Sequence, residues 1–336
     1  MTLKDIAKAA GVDASTVSRA INHPEKVRGE TLARISWHIK RLDYQPNFVA
    51  RGLQKAKSNL IAIVVPNFSN LAFANLMKGF HDALKGTGYE LIVCSSLEDP
   101  KEEIDICLSL ARQRVSGIAF ISTVSTYDQD IPFHIFKGNT EVLVIDREVS
   151  DEDVGVFLLD VEKGIRMVFN HLIQLGHNHL GIIIGQQRSI HSINRLALIR
   201  RIVSEMDVHI SDAYIREGDW SSTGGWQAME HFLTLKPRPT AVFAITDTMA
   251  MGAIGAACEA GLRVPEDISV VGFNNEPGSE SFNPPLTTMG PHSYNIGMQA
   301  GKHILSALES DYHIRVFKKF PLDLIIRRST AVAPRM

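Results

Sequence analysis

The apolar positions of this chain change period near residue 60. In "TLKDIAKAAGV", Leu3, Ile6, Ala7 and Ala10 recur at helical spacing, with Thr2 and Asp5 placed as a capping-box pair and Gly11 as the stop. "DASTVSRAIN" repeats the pattern: Asp13 stands at the cap and Val17, Ala20 and Ile21 share one face, leaving Ser15, Thr16, Ser18, Arg19 and Asn22 largely for the other. A third helix, from about Gly29 to Leu42, carries the stripe Leu32, Ile35, Ile39 and Leu42. Two short helices joined by a Gly-containing turn, closed by a third, predict a helix-turn-helix domain over residues 1–45.

From Leu60 these stripes give way to continuous apolar runs. They are "LIAIVV", "YELIVCS", "GIAFIS" and "VLVID", and after about Asp160 "LGIII", "DAYIRE", "AVFAIT" and "ISVVGF". Such runs, alternating with amphipathic helices, predict parallel sheets covered on both faces. The fold class is therefore an all-α three-helix head followed by two doubly wound parallel-sheet α/β lobes, periplasmic-binding-protein-like, with a ligand cleft at the carboxyl ends of the strands.

Charge sharpens this division. The 336 residues carry a formal net charge of −2, yet residues 1–59 hold eleven Lys and Arg against five acids, +6, and the rest is −8. One end suits a polyanion. With 45% hydrophobic and 21% charged residues the composition is that of a soluble globular protein. Cys94, Cys107 and Cys258 are far apart and read as reduced thiols. No apolar run reaches a membrane span, and "MTLKDIAKAAG" lacks an apolar signal core, so a cytoplasmic protein without membrane partners is expected. Enzyme signatures are missing: there is no G-x-S-x-G, P-loop or H-E-x-x-H, and "KGTGYE" follows a helix where a dinucleotide-binding turn follows a strand. His177 and His179 in "LGHNHLG" lack a nearby Cys or acid, so no metal or cofactor is expected.

"TLKDIAKAAGVDASTVSRAINHPEKV", with "LDYQPNFVARGLQ" after it, resembles the head and hinge of the LacI/GalR family of bacterial transcription regulators. The resemblance extends over nearly the whole chain. It implies that Ala14, Ser15, Thr16, Ser18, Arg19, Asn22 and Lys26 face DNA. It also implies that residues 46–59 hold a short hinge helix and linker, in which Asn47, Ala50 and Leu53 meet the minor groove and Leu53 wedges between base pairs. The residues agree: Pro46 ends the third helix, Asn47 can cap another, and two turns of helix need a partner to form. Packing of Leu53 on the next domain is the plainer alternative. Arg28 stands at the family's usual Ser cap, and Gly52 lowers hinge-helix propensity by roughly 1 kcal/mol.

Loops after strands should supply the small-molecule site. They offer Phe73, Asp146, Ser189, His191, Trp220, Thr246, Asp247 and Asn274, and Arg195 stands at the family's ligand-binding Arg position. Acids, amides, an Arg and a Trp suit a polyhydroxylated ligand: forked groups grip hydroxyl pairs and an indole packs on a sugar ring. Capping is an equal reading for Asp247; core packing for Trp220 and strand-end turns for Asp146 and Asn274 are the lesser alternatives. Leu198, Ile199 and Asn274 depart from the family's Gly, aromatic and acid. The family's three interlobe crossings are placed near Leu159, Met289 and Pro321. The body, residues 60–336, then has an N-lobe of 60–159 and 290–320 and a C-lobe of 160–289 and 321–336. The expected protein is a ligand-controlled DNA-binding regulator, most simply a repressor. It works as a homodimer or higher oligomer on a pseudo-palindromic operator. Its rivals are a transport-type binding protein and an enzyme, both of which would survive deletion of residues 1–58.

Overall fold

The computed structural model describes residues 2–44, 58–68, 70–121, 133–136, 138, 140–149, 151–187, 189–310 and 315–335. The chain divides into two compact units, 1–58 and 59–336.

The first unit holds α1 (Leu3–Ala10), α2 (Ala14–Asn22), a single 3-10 turn (Pro24–Lys26) and α3 (Gly29–Arg41). Thr2 and Asp5 form the capping box, with Thr2 N–H donating to Asp5 Oδ2 at 2.7 Å, and Gly11 takes the left-handed conformation at φ +62°. Asp13 occupies the cap position of α2, but its side chain makes no cap hydrogen bond. Arg28 caps α3 with backbone alone, because a guanidinium has no acceptor to offer the first turn. Ile6, Ala7, Ala10, Val17, Ala20, Ile35 and Tyr44 make the core, with Leu32, Ile39 and Leu42 packed on it.

The second unit contains two sheets of six strands among the described residues. The first comprises β1 (Leu60–Val65), β2 (Glu90–Ser95), β3 (Gly117–Ile121), β4 (Glu141–Ile145), β5 (Gly155–Leu159) and β11 (Phe317–Phe320), in the order β11-β5-β4-β3-β1-β2. The second comprises β6 (Leu180–Ile184), β7 (Ile215–Glu217), β8 (Ala241–Ala244), β9 (Ser269–Phe273), β10 (Thr287–Gly290) and β12 (Asp323–Ile325), in the order β12-β10-β9-β8-β6-β7. Each lobe thus starts 2-1-3-4-5, a doubly wound order whose switch point lies between its first and third strands. Among the described residues all pairings are parallel except β10 with β12.

Four strands escape the sequence pattern: β5, β10, β11 and β12. β10, β11 and β12 have four, four and three residues, and β11 reads Phe-Lys-Lys-Phe with three of its residues exposed, so no apolar run marks it; β5, Gly-Val-Phe-Leu-Leu, is as long and as apolar as β3. "DAYIRE" is also shorter than expected, because Asp212–Tyr214 turn as a 3-10 helix and only Ile215–Glu217 pair. The chain leaves the first sheet at Leu159, returns after Gly290, and crosses again between Phe320 and Asp323. Lys319 Nζ meets Asp160 Oδ1 at 2.8 Å and His292 Nε2 meets Asp323 Oδ2 at 2.8 Å, so the crossing segments are tied to one another.

Helices α4 (Ala72–Leu84), α5 (Pro100–Arg112) and α10 (Ser293–Glu309) cover the first sheet; α6 (Val161–Gln174), α7 (Ile190–Glu205), α8 (Ser222–Thr234) and α9 (Asp247–Glu259) cover the second. Each lobe has one helix pair in backbone contact. A Cβ on Gly79 of α4 would stand 2.0 Å from Tyr294 O of α10, and one on Gly252 of α9 would stand 1.8 Å from Ser222 O of α8. Only glycine permits that approach. The strands are consequently held on both faces, and their carboxyl ends project fixed loops toward the cleft.

Candidate functional site

Those loops meet in a cleft of about 450 Å³, counted out to its mouth. Of the residues expected there, Phe73, Asp146, His191, Arg195, Trp220, Thr246 and Asn274 line it. Pro66, Asn67, Asn70, Ala72, Glu98 and Ile121 line it too, and the strand-end pattern does not single out Glu98 or Asn67. The contributors follow β1, β2, β3, β4, β6, β7, β8 and β9, which places the cleft at the carboxyl ends of both sheets.

Backbone conformation aims several of these side chains. Glu98 (φ +57°), Asp146 (φ +62°), Trp220 (φ +67°) and Asn274 (φ +101°) all occupy the left-handed region. Asp and Asn tolerate it, but for Glu and Trp it costs on the order of 1–3 kcal/mol each, a cost kept where the turn has a use. Trp220 has a further requirement. A Cβ on Gly185 would lie 2.2 Å from the indole, so the ring rests on bare backbone. Its Nε1 is buried and has no hydrogen-bond partner among the described residues.

Arg195, on the second turn of α7, is the electrostatic centre. Its guanidinium lies 4.3 Å from the Phe273 ring centroid and its side chain is 11% exposed. Asp146 Oδ2 stands 3.6 Å from Arg195 and 3.5 Å from His191 Nδ1, too far for strong hydrogen bonds. Burial pushes the Arg195 pKa down, and Asp146 pulls it back. A buried guanidinium with no hydrogen bond among the described residues offers its fork to a ligand that brings acceptors. Thr246 Oγ accepts Met249 N–H at 3.2 Å as the cap of α9, leaving its own hydroxyl proton free to donate.

Ser189 and Asp247 are not in the lining. Ser189 sits buried at the cap position of α7. Asp247 is wholly buried behind the wall, where it accepts the Glu276 N–H at 2.7 Å and the Thr288 hydroxyl. It ties the ends of β9 and β10 to the start of α9. Burial pushes its pKa up to about 8. Glu276 beside it, also pushed up by burial, accepts from Thr248 N–H at 3.1 Å and from Asn274 Nδ2 at 3.4 Å. The carboxylates nearest Asn274 therefore serve the fold behind the cleft wall.

In the head, α2 buries Val17 and Ala20, exposes Ser15 and Arg19, and half-buries Ala14, Thr16 and Ser18; Lys26 is exposed on the following turn. Short side chains with one Arg allow a helix to approach base edges closely. The Asn22 side chain and the hinge residues Asn47, Ala50 and Leu53 lie outside the described residues.

Known proteins carry the same two parts. The profile of bacterial regulatory proteins of the lacI family matches residues 2–47, and that of a periplasmic binding protein-like domain matches residues 169–330. The transcriptional repressor PurR of Pectobacterium carotovorum is 33% identical, covering 99% of this chain and 98% of its own. Catabolite control protein A of Priestia megaterium is 29% identical, covering 98% and 99%. The crystal structure of a lac repressor dimer bound to operator and the anti-inducer ONPF superposes with a TM-score of 0.88 at 27% identity, covering 98% and 99%. That of the regulator CelR with cellobiose gives 0.71 at 25%, with the same coverage. Such relatives are transcriptional regulators, which sets aside the transport-type and enzymatic rivals as descriptions of the family. This chain belongs to the lacI family of bacterial regulatory proteins, DNA-binding transcriptional repressors under the control of small-molecule effectors.

Proposed function

We propose that the cleft receives a sugar or a closely related hydroxyl-rich metabolite, and that its occupancy controls operator binding by the head. The observation that carries this reading is the pairing of buried Arg195 with Asp146 at 3.6 Å in a cleft also lined by an indole, the guanidinium and the indole N–H having no hydrogen-bond partner among the described residues. A guanidinium and a carboxylate side by side grip vicinal hydroxyls, and the indole face packs on the C–H side of a ring. The chain acts as a homodimer, since one helix-turn-helix covers too little DNA and a two-fold protein reads a pseudo-palindrome. No helix of the described residues is long and apolar enough to cross a membrane, and a DNA-binding regulator works in the cytoplasm. It does so as a binding protein without catalysis.

In the proposed operator complex, the hinge segment 46–59 supplies a short helix whose Leu53 wedges into the minor groove. Unstacking one step costs a few kcal/mol, repaid by added contact. The decisive experiment for the effector is a thermal-shift screen of sugars, sugar acids and nucleobases. A selective sugar stabiliser that also alters operator affinity supports the reading, whereas a nucleobase that does so replaces it.

A further inference from the structure

We infer that Glu98 sets the charge of the effector: the cleft takes uncharged hydroxyl-rich ligands and rejects their phosphorylated or carboxylated counterparts. This rests on the reading of the cleft as the effector site. Glu98 follows β2 in a turn where two consecutive residues, Leu97 (φ +52°) and Glu98 (φ +57°), adopt the left-handed conformation without being glycine. Its backbone N–H donates to Pro66 O at 3.1 Å, anchoring the turn to the end of β1.

The carboxylate is then held in place. Asn67 Nδ2 donates to Glu98 Oε1 at 2.6 Å, and Asn67 Oδ1 accepts the Asn70 N–H at 2.8 Å, so the amide is braced from both ends. Asn70 Oδ1 in turn accepts Ala72 N–H at 2.9 Å, joining this chain of bonds to the start of α4. A strained turn supported by successive side-chain hydrogen bonds positions one carboxylate in the cleft lining.

Its consequence is electrostatic. Among the described residues the lining carries two carboxylates, Glu98 and Asp146, against one guanidinium, Arg195, and one imidazole, His191. Asp146 already lies beside both Arg195 and His191. An anionic ligand reaching for the Arg195 fork would enter a cleft in which that cation is partly spoken for and a second carboxylate is fixed on the other lobe. Like charges brought together in a partly dehydrated site repel one another, while a neutral hydroxyl meets no such repulsion.

The test is thermal-shift titration of the full chain at constant ionic strength with matched pairs: ribose and ribose 5-phosphate, glucose and gluconate, cellobiose and cellobionate. Wild type should bind the neutral member of its preferred pair at least roughly tenfold more tightly than the charged member. Glu98→Gln, which keeps the acceptor for Asn67, should bring the charged member up by about the same factor. A charged sugar that binds wild type as tightly as its neutral counterpart overturns the inference, and so does an unchanged ratio in Glu98→Gln. If no sugar of either kind binds, the carbohydrate reading fails and the inference falls with it. The unliganded melting temperature of the variant, kept close to that of wild type, shows that the change is local.

Discussion

The two walls of the cleft are built differently. On the C-lobe side Arg195 lies against Phe273 and Thr246 caps a helix, while Trp220 rests on Gly185. Beneath them lies one apolar core in which Phe243, Phe273, Ile182 and Met249 are buried together. On the N-lobe side Asn67, Asn70 and Glu98 are set on turns and joined by side-chain hydrogen bonds, and Asp146 stands on another turn with its carboxylate toward His191 and Arg195. A side chain fixed by packing gives grip; one fixed by hydrogen bonds at a strained turn gives selectivity that single changes can retune. The C-lobe wall should therefore govern how tightly effector binds, and the N-lobe wall which effector is accepted.

Substitutions on each wall test that contrast. Arg195→Met should cause the largest loss. Hydrogen bonds to a charged group are worth about 1.5–3 kcal/mol, so effector affinity should fall by roughly ten- to a hundredfold in a thermal-shift titration, with the unliganded fold intact. Gly185→Ala places a methyl 2.2 Å from the Trp220 ring and should destabilise the protein by about 1–3 kcal/mol in urea unfolding while weakening every ligand alike. On the other wall, Asn67→Ala removes the brace of Glu98. It should cost only about 1 kcal/mol of stability, and its clearer effect should be a lower ratio of neutral to charged sugar affinity. Equal loss of affinity for both members of each pair would erase the contrast between the walls.

A separate effect concerns pH. Asp247, behind the C-lobe wall, is pushed from its ordinary 3.8 up to about 8. Folding therefore takes up a proton there. The stabilising contribution is complete below 3.8 and is lost as pH rises through about 8. Asp247→Asn should accordingly lose less stability than wild type between pH 5 and pH 8, with a residual slope from Glu276, whose carboxyl burial also raises. Parallel stability profiles for the two proteins would show that Asp247 stays ionised in the fold.

The same contrast explains what the amino-acid pattern could reveal. Arg195 and Thr246 stand at helix starts after apolar runs, where period and strand ends point directly at a cleft. Ser189 and Asp247 share that placement and lie outside the lining, because a helix start offers both a cap position and a ligand position and only packing decides between them. Glu98 was illegible for a different reason. Its role depends on two left-handed residues in "SSLEDP" that no glycine announces. The edge strands β11 and β12 were hidden likewise, since β12 pairs with only one neighbour and β11 exposes its lysines.

Effector control of DNA through the cleft is tested most directly by operator affinity with and without ligand. An operator selected from random duplexes, titrated by gel shift at fixed salt with the best sugar from the screen, should change affinity by roughly 5- to 150-fold for wild type. In Arg195→Met the ligand effect should vanish while affinity for operator without ligand stays as it was. A sugar that binds the cleft of wild type yet leaves operator affinity unchanged would contradict the account.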